Sequence, residues 1–518
     1  MTRPILYGLL CCLLVPGLSS AQPSLQSADK ELLVKFSRDI SPEEARRDLN
    51  AAGVQSTHYV AALRLHHCRI VSNQDVASAV QTCQAHAEVE YAEPNYIYTA
   101  SALPDDPRFA EQWSLHDEDS ADIDAPEAWQ VTTGARRIIV AVIDTGIDTR
   151  HPDLSDNIWR NPGETGDGRE SNGIDDDDNG YIDDVQGWNF FADDNNVFDD
   201  NGHGTHVAGI IGARGNNGLG ISGVAWETSL LPLKFLNRNG AGSASDAIAA
   251  ILYAAANGAR IINASWGGPS YSQALSDAIE YARMHKVLVV TAAGNESRDN
   301  DRRPTYPAGY DIDNVLSVAS SDRNDELAEY SNFGTTTVDL AAPGSAILST
   351  VPNNDYRLMS GTSMAAPHVS GVAALLATQF PSLHYRQTMI RLVGGAEPLQ
   401  SLAQKTRSGG RLNAYGALST HPRVAFVRRL RPPSGSTIGT IVQAEVTDQD
   451  SVRSVLLHYA TDGGDYRVVD MQHQRADIYR GLIPLQPNGT RVEYFVRGVD
   501  IDGNTGLSAT RRFQADQR

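Results

Sequence analysis

Between residues 137 and 321 the chain alternates apolar runs with helical patterns. RIIVAVIDTG, ARIINASWGG, KVLVVTAAGN and NVLSVASS are apolar runs that end in Gly, Asn or Ser. GTHVAGIIGA, SDAIAAILYAAAN and YSQALSDAIEYARMH lie between them and carry apolar residues at helical spacing. Strands this uniformly apolar have no face left for water. They belong in a parallel sheet covered by helices on both sides. The pattern therefore predicts an α/β fold and places its chemistry at the carboxyl ends of the strands.

The flanking stretches have other rhythms. Residues 22–102 read as β-α-β-β-α-β, the order of a small ferredoxin-like unit. Its first helix, SPEEARRDLNAAG, has Ser41 as cap, Pro42 at the first position and Glu44 to close a capping box. Cys68 and Cys83 fall on a strand and a helix that a disulfide could bridge, and spacing alone does not decide it. SALPDDPRF is a Pro/Asp-rich boundary, and the main domain is read as residues 103–420. From 421 to 518 short strands follow one another with turn residues every ten or so positions, which predicts an immunoglobulin- or fibronectin-like β-sandwich.

The opening MTRPILYGLLCCLLVPGLSSAQ has Arg3, a short apolar run, then Ser19 and Ala21. It reads as a signal peptide over residues 1–21, so the expected protein is secreted. Neither this run nor any later one is long enough to span a bilayer. Cys11 and Cys12 leave with the signal, and no cysteine follows Cys83. A secreted domain without disulfides needs another staple, and bound metal is a common one. The net charge of -20 argues against nucleic acid as a partner. Thirteen Asp and Glu against one Arg between Glu164 and Asn201 point instead to a local cation site.

Three chemically capable residues fall at strand ends or helix starts: Asp144 after IIVAVID, His203 in NGHGTHVAG and Ser363 in GTSMAAPHVSG. Singly, Ser363 reads as a helix cap, Asp144 as a turn residue and Asn295 of TAAGN as a loop residue. Together, VAVIDTGID, NGHGTHVAG, AAGN and GTSMAAPHVSG resemble the four blocks of the subtilisin-like serine proteases, in order, over about residues 105–418. The resemblance implies that Ser363 is the nucleophile, His203 its base, Asp144 the residue that orients His203, and Asn295 an oxyanion donor beside the Ser363 N–H. His206 and His368 are read as packing residues. The run His203-Gly204-Thr205-His206-Val207 lacks the Glu of a zinc protease.

The same resemblance implies polypeptide substrates that add as a strand between Gly240 and Gly242 on one side and Ser265, Trp266 and Gly267 on the other. Ala292, Ala293 and Gly294 would wall the primary pocket, with Glu296 at its rim. In the acidic stretch Asp175, Asp177, Asn179, Gly180, Tyr181 and Asp183 resemble the first nine positions of an EF-hand-like calcium loop, and Asp184 could add an oxygen. Gln186 stands where the closing Glu belongs, so an acid from elsewhere must complete it. A second calcium site, implied by the family pattern alone, uses Gln112, Asp153 and Asn217. Residues 22–102 then become an inhibitory propeptide, an intramolecular partner cut away between about Tyr98 and Pro104. A monomer is the family default. The competing readings are a silent scaffold of the same fold and an adhesion role for the sandwich.

Overall fold

The strand that ends in Asp144 becomes the pivot of the main sheet. In the computed structural model, residues 27–37, 40–72, 74–86, 88–96, 103–430, 438–449 and 451–515 are described. The expected signal peptide and nearly all of the expected cut region lie outside them. The chain divides into two units, residues 1–100 and 101–518.

The first unit runs β1 (Ser27–Phe36), α1 (Pro42–Ala51), β2 (Val54–Val60), β3 (Leu65–Ile70), α2 (Val76–Gln84) and β4 (Val89–Tyr96). Its sheet has the order β2-β3-β1-β4, antiparallel throughout, which is the ferredoxin-like arrangement. The capping box forms: Ser41 Oγ accepts from the Glu44 N–H, and Glu44 accepts from the Ser41 N–H. Cys68 and Cys83 both lie in the core with Leu32, Phe36 and Leu49, and both are free thiols rather than a disulfide. Burial pushes the Cys68 thiol up to about 12 and that of Cys83 up to about 11, so each packs as a small neutral group.

The second unit opens with α3 (Ala125–Trp129), β5 (Gly134–Asp144), β6 (Trp188–Asn189), α4 (His203–Gly212), β7 (Glu227–Lys234), α5 (Ala244–Ala256), β8 (Ile261–Ala264), α6 (Gln273–Met284), β9 (Leu288–Ala292) and β10 (Val315–Ser321). Then come β11 (Leu340–Pro343), β12 (Ile347–Val351), β13 (Asp355–Met359), α7 (Thr362–Gln379), α8 (Tyr385–Gly394), β14 (Glu397–Pro398), β15 (Gly410–Arg411) and α9 (Ala414–Leu418). The main sheet has the order β14-β15-β11-β10-β9-β8-β5-β7-β6, parallel except at β14. Alternate residues of one strand feed two cores. Val140 and Val142 of β5 face the core that includes α4, α7 and α8, while Ala141 and Ile143 face α5 and α6.

The chain leaves β5 toward β7 on one side and returns to β8 on the other. Asp144 therefore ends the strand at the topological switch point, where open parallel sheets form their crevice. Helix α7 packs against β5, β8, β9, β10 and β11 and is buried on nearly every side.

The final strands are β16 (Arg423–Leu430), β17 (Thr440–Thr447), β18 (Val452–Thr461), β19 (Arg467–Asp470), β20 (Gln472–Arg475), β21 (Ile478–Ile483), β22 (Arg491–Asp500), β23 (Thr505–Leu507) and β24 (Arg511–Gln514). They make two antiparallel sheets around a core of their own. Ala425 and Phe426 depart from that core and join the main one. No helix among the described residues is long and apolar enough to cross a membrane.

His206 and His368 are wholly or almost wholly buried. His206 Nε2 donates to the Ile347 and Arg357 carbonyls, tying α4 to the β12–β13 hairpin. His368 Nδ1 donates to the Met364 carbonyl, and its Nε2 accepts from Ser114 Oγ at 3.0 Å. Burial holds each at about 4. Unfolded histidine binds its proton near 6.5, so between 6.5 and about 4 the unfolded chain takes up two protons that the native one refuses. Acidification across this window should remove on the order of 3 kcal/mol per histidine. Thermal midpoints of the Ser363→Ala protein, measured to avoid autolysis, should fall steadily over it; a flat profile rejects the neutral, buried state.

Candidate active site

Asp144 is fully buried. Its Oδ1 accepts from the Thr145 N–H at 2.7 Å and from His203 Nδ1 at 2.7 Å. With Nδ1 donating, His203 Nε2 is left as an acceptor. His203 opens α4, and Gly202 before it has φ 105°, which turns the chain into the helix where a side chain would be strained. Burial works against the imidazolium. The charge and hydrogen bond of Asp144, with the charge of Asp199, outweigh it, and His203 titrates above the ordinary 6.5.

Ser363 lies in the first turn of α7. Among the described residues its hydroxyl donates to the Ser265 carbonyl at 2.9 Å, not to His203. Pro367, four residues on, has no N–H to give the Ser363 carbonyl. Ser265 Oγ supplies that bond instead, at 2.9 Å. Ser265 and Ser363 thus hold each other at the end of β8, and rotation about the Ser363 Cα–Cβ bond is what redirects the hydroxyl.

Asn295 follows β9. Its Oδ1 accepts from the Thr362 N–H at 2.9 Å and the Thr362 hydroxyl at 3.0 Å. Thr362 Oγ1 in turn accepts from the Gly294 N–H at 3.1 Å. Both bonds hold the oxygen of the Asn295 amide, so its N–H group faces the other way. A Cβ on Gly361 would lie 3.5 Å from Asn295 Nδ2 and 3.6 Å from the Ser363 N. Two N–H donors therefore border one small space, kept open by the absence of that carbon. This is the arrangement that stabilises negative charge growing on a carbonyl oxygen.

The two expected substrate segments leave β7 and β8, the two strands that flank β5. Gly240 and Gly242 lie in the turn after β7, where a Cβ on Gly242 would meet the Phe235 carbonyl at 2.2 Å. Ser265, Trp266 and Gly267 follow β8; the Trp266 indole donates to the Ile143 carbonyl at 2.9 Å and packs edge-on against Phe235. Ala292 ends β9, with Ala293 buried and Gly294 more open behind it. The Glu296 carboxylate is tied to Arg298 and Asn332, at 2.8 Å each.

The acidic stretch sorts its expected ligands into two groups. Asp175 accepts from the Asn179 and Gly180 N–H groups, Asn179 Oδ1 from the Tyr181 N–H, and Asp183 from the Gly173 N–H. Asp177 and Asp184 instead converge with Glu164, one oxygen of each lying within 4.8 Å of the others. Glu164 is fully buried, and among the described residues its Oε2 has no hydrogen-bond partner. An orphaned buried carboxylate oxygen among two further acids fits a hard, oxygen-seeking cation such as calcium. Glu164 comes from outside the loop to meet two of its acids.

The second expected set does not fit in the same way. Gln112 closes a pair of bonds with the Ser222 backbone. Asp153 accepts from Asn217 Nδ2, the Ile221 N–H and the Tyr356 hydroxyl. The acid that meets this loop is Asp106, which accepts from the Asn216 and Asn217 N–H groups. Thr362 and Asp199 were also missed, although both lie inside or beside the recognised blocks. Their side chains act on neighbours, which a motif does not reveal.

Comparison with known proteins points to one family of enzymes. The sequence model of the subtilase family matches residues 135–417. That of the fervidolysin N-terminal prodomain matches residues 17–95. The chain is 35% identical over 398 residues to a thermophilic serine proteinase of Bacillus sp. strain AK1, covering 76% of this chain and 87% of that protein. It is 37% identical over 315 residues to thermitase of Thermoactinomyces vulgaris, covering 61% and 99%. A solved structure of a protease from Pseudoalteromonas arctica aligns with a TM-score of 0.50 at 32% identity, covering 61% of this chain and 99% of that one.

Gly361→Ala tests the space between the donors. The added methyl meets nothing closer than 3.5 Å, so the thermal midpoint should hold. Turnover of a peptide substrate should fall on the order of 100-fold, the cost typical of one lost oxyanion donor. Unchanged turnover places the developing charge elsewhere.

Proposed function

The chain belongs to the subtilase family, and we propose that it is a secreted, calcium-stabilised endopeptidase whose triad is Asp144, His203 and Ser363. It is a subtilisin-like serine endopeptidase with an N-terminal prodomain. In the proposed reaction Ser363 Oγ attacks the scissile carbonyl carbon as His203 Nε2 takes its proton. Asp144 steadies the resulting imidazolium. The carbonyl oxygen, now an anion, receives the Asn295 amide and the Ser363 N–H. Collapse expels the amine, which takes the proton from His203 and leaves an acyl group on Ser363. Water, deprotonated by His203, then releases the acid and restores the serine.

The observation that carries this reading is the 2.7 Å pairing of buried Asp144 with His203 at the end of β5, beside β8, whose end holds Ser363 through Ser265, with Thr362 before it bonded to Asn295. Residues 22–102 serve as propeptide and intramolecular inhibitor, the main domain as residues 103–420, and the sandwich as residues 421–518. After prodomain removal, wild type should cleave casein, and Ser363→Ala and His203→Ala should lose nearly all activity. Equal activity in Ser363→Ala overturns the mechanism. Only neutral His203 can accept a proton, so activity should fall as pH drops through a value above 6.5.

Calcium, when bound, would supply a cross-link between segments that no disulfide joins. Glu164, Asp177 and Asp184 would hold it. Excess EDTA should lower the thermal midpoint of the Ser363→Ala protein, and Glu164→Gln should shrink the rise that added calcium produces. At 100 times the dissociation constant that rise corresponds to about 2.7 kcal/mol. An unchanged midpoint after proven metal removal counts against the site.

A further inference from the structure

Beside the His203–Asp144 pair lies a second fully buried carboxylate that the proposed reaction does not use. Asp199 collects five donors. Its Oδ1 accepts from Thr145 Oγ1 at 2.8 Å, the Gly202 N–H at 2.8 Å and the Asn201 N–H at 3.0 Å. Its Oδ2 accepts from the Thr205 N–H at 2.9 Å and Thr205 Oγ1 at 2.7 Å. Thr145 follows Asp144; Gly202 precedes His203; Thr205 lies in the first turn of α4. Thr145 Oγ1 also accepts from the Gly204 N–H at 2.9 Å. Both sides of the His203–Asp144 bond are thus tied to one carboxylate.

We propose that Asp199 is a positioning residue for the reaction: it fixes the start of α4 to the loop after β5 and adds a second negative charge beside the imidazolium. This rests on His203 being the base. An ionised carboxylate accepts only, which suits five donors; an amide of the same shape would turn an N–H toward other N–H groups. The charges around it are few. Asp144 ends β5. Lys234 ends β7, where its ammonium donates to the Thr145 carbonyl at 2.5 Å and to half-exposed Asp200 at 2.8 Å. Asp148 lies in the loop after β5, and its N–H donates to Thr205 Oγ1. His206, on the same helix, stays neutral through burial. Lys234 has its own partner in Asp200, so the Asp199 charge acts on His203 and raises its pKa alongside Asp144.

Asp199→Asn removes the charge and keeps the size. In matured enzyme with a chromogenic peptide, kcat should fall about 10- to 100-fold with KM little changed, as expected for a displaced catalytic group. The acid limb of kcat/KM should move to lower pH, because the imidazolium loses a stabilising charge. An unmoved limb or an unchanged kcat overturns the proposal. Should Asp199→Asn not mature, Thr145→Val leaves the carboxylate in place and cuts its tie to the Asp144 loop. There kcat should fall with the limb unmoved, and an unchanged kcat overturns the proposal. His203→Ala is run beside them: activity at the wild-type level there rejects the base itself, which separates the two failures.

Discussion

Two carboxylates, Asp144 and Asp199, are buried without a water-facing atom beside the start of one helix. Taking such a group out of water costs several kcal/mol unless the surroundings answer it. Here the answer is mainly backbone. The N–H groups of Thr145, Asn201, Gly202 and Thr205 all point at the pair. The first turn of α4 carries unsatisfied N–H groups and the positive end of the helix dipole, so it is the place in the fold where negative charge is cheapest to hold. Among the described residues Asp144 Oδ2 nevertheless has no hydrogen-bond partner. His203 Nδ1–H answers part of the Asp144 charge, and that pairing, with the charge of Asp199, raises the histidine above its ordinary value against the pull of burial.

The spacing of the recognised blocks follows from this. Asp144 must end its strand at the switch point, and Thr145 must follow it to reach both Asp199 and Gly204. Asp199, Gly202, His203 and Thr205 must share one loop-to-helix turn. These requirements are local, and local requirements are legible in a sequence. The parallel sheet was legible for a similar reason, since strands buried on both faces carry an unbroken apolar run. Glu164 was not, because it meets Asp177 and Asp184 only after the acidic loop folds back. Gln112 pairs its amide with the Ser222 backbone, a contact that joins residues 110 positions apart and so is not legible from the local sequence. Hairpin β12–β13 escaped notice because β13 is largely exposed, yet one carbonyl from each of its strands accepts from His206 Nε2.

The sandwich is bound to the main body by more than a linker. Phe426 leaves its own sheet at a register shift, with φ 50°, and enters the main core. The Arg386 guanidinium lies 3.9 Å from its ring centroid and pairs with Glu445 through two 2.7 Å bonds. Arg407 approaches the same ring while bonded to Asp339. Truncating a buried phenylalanine typically costs about 3–5 kcal/mol. Arg386 lies on α8, which packs against α7, so the sandwich bears on the helix that carries Ser363. This favours a stabilising role over a freely swinging adhesion module.

Helix α7 itself has two incompatible duties. Buried among five strands, it needs every backbone bond made, yet its first turn must present a reactive hydroxyl. Pro367 breaks the ladder where the second duty begins, freeing the Ser363 carbonyl. An unmet buried carbonyl costs about 1–3 kcal/mol, and the Ser265 hydroxyl removes that cost. The same contact places the Ser265 carbonyl under the Ser363 hydroxyl. The end of β8 therefore sets both the start of the helix and the resting direction of the nucleophile. A residue that sequence alone assigns to substrate contact is also what lets a buried helix begin with an accessible serine.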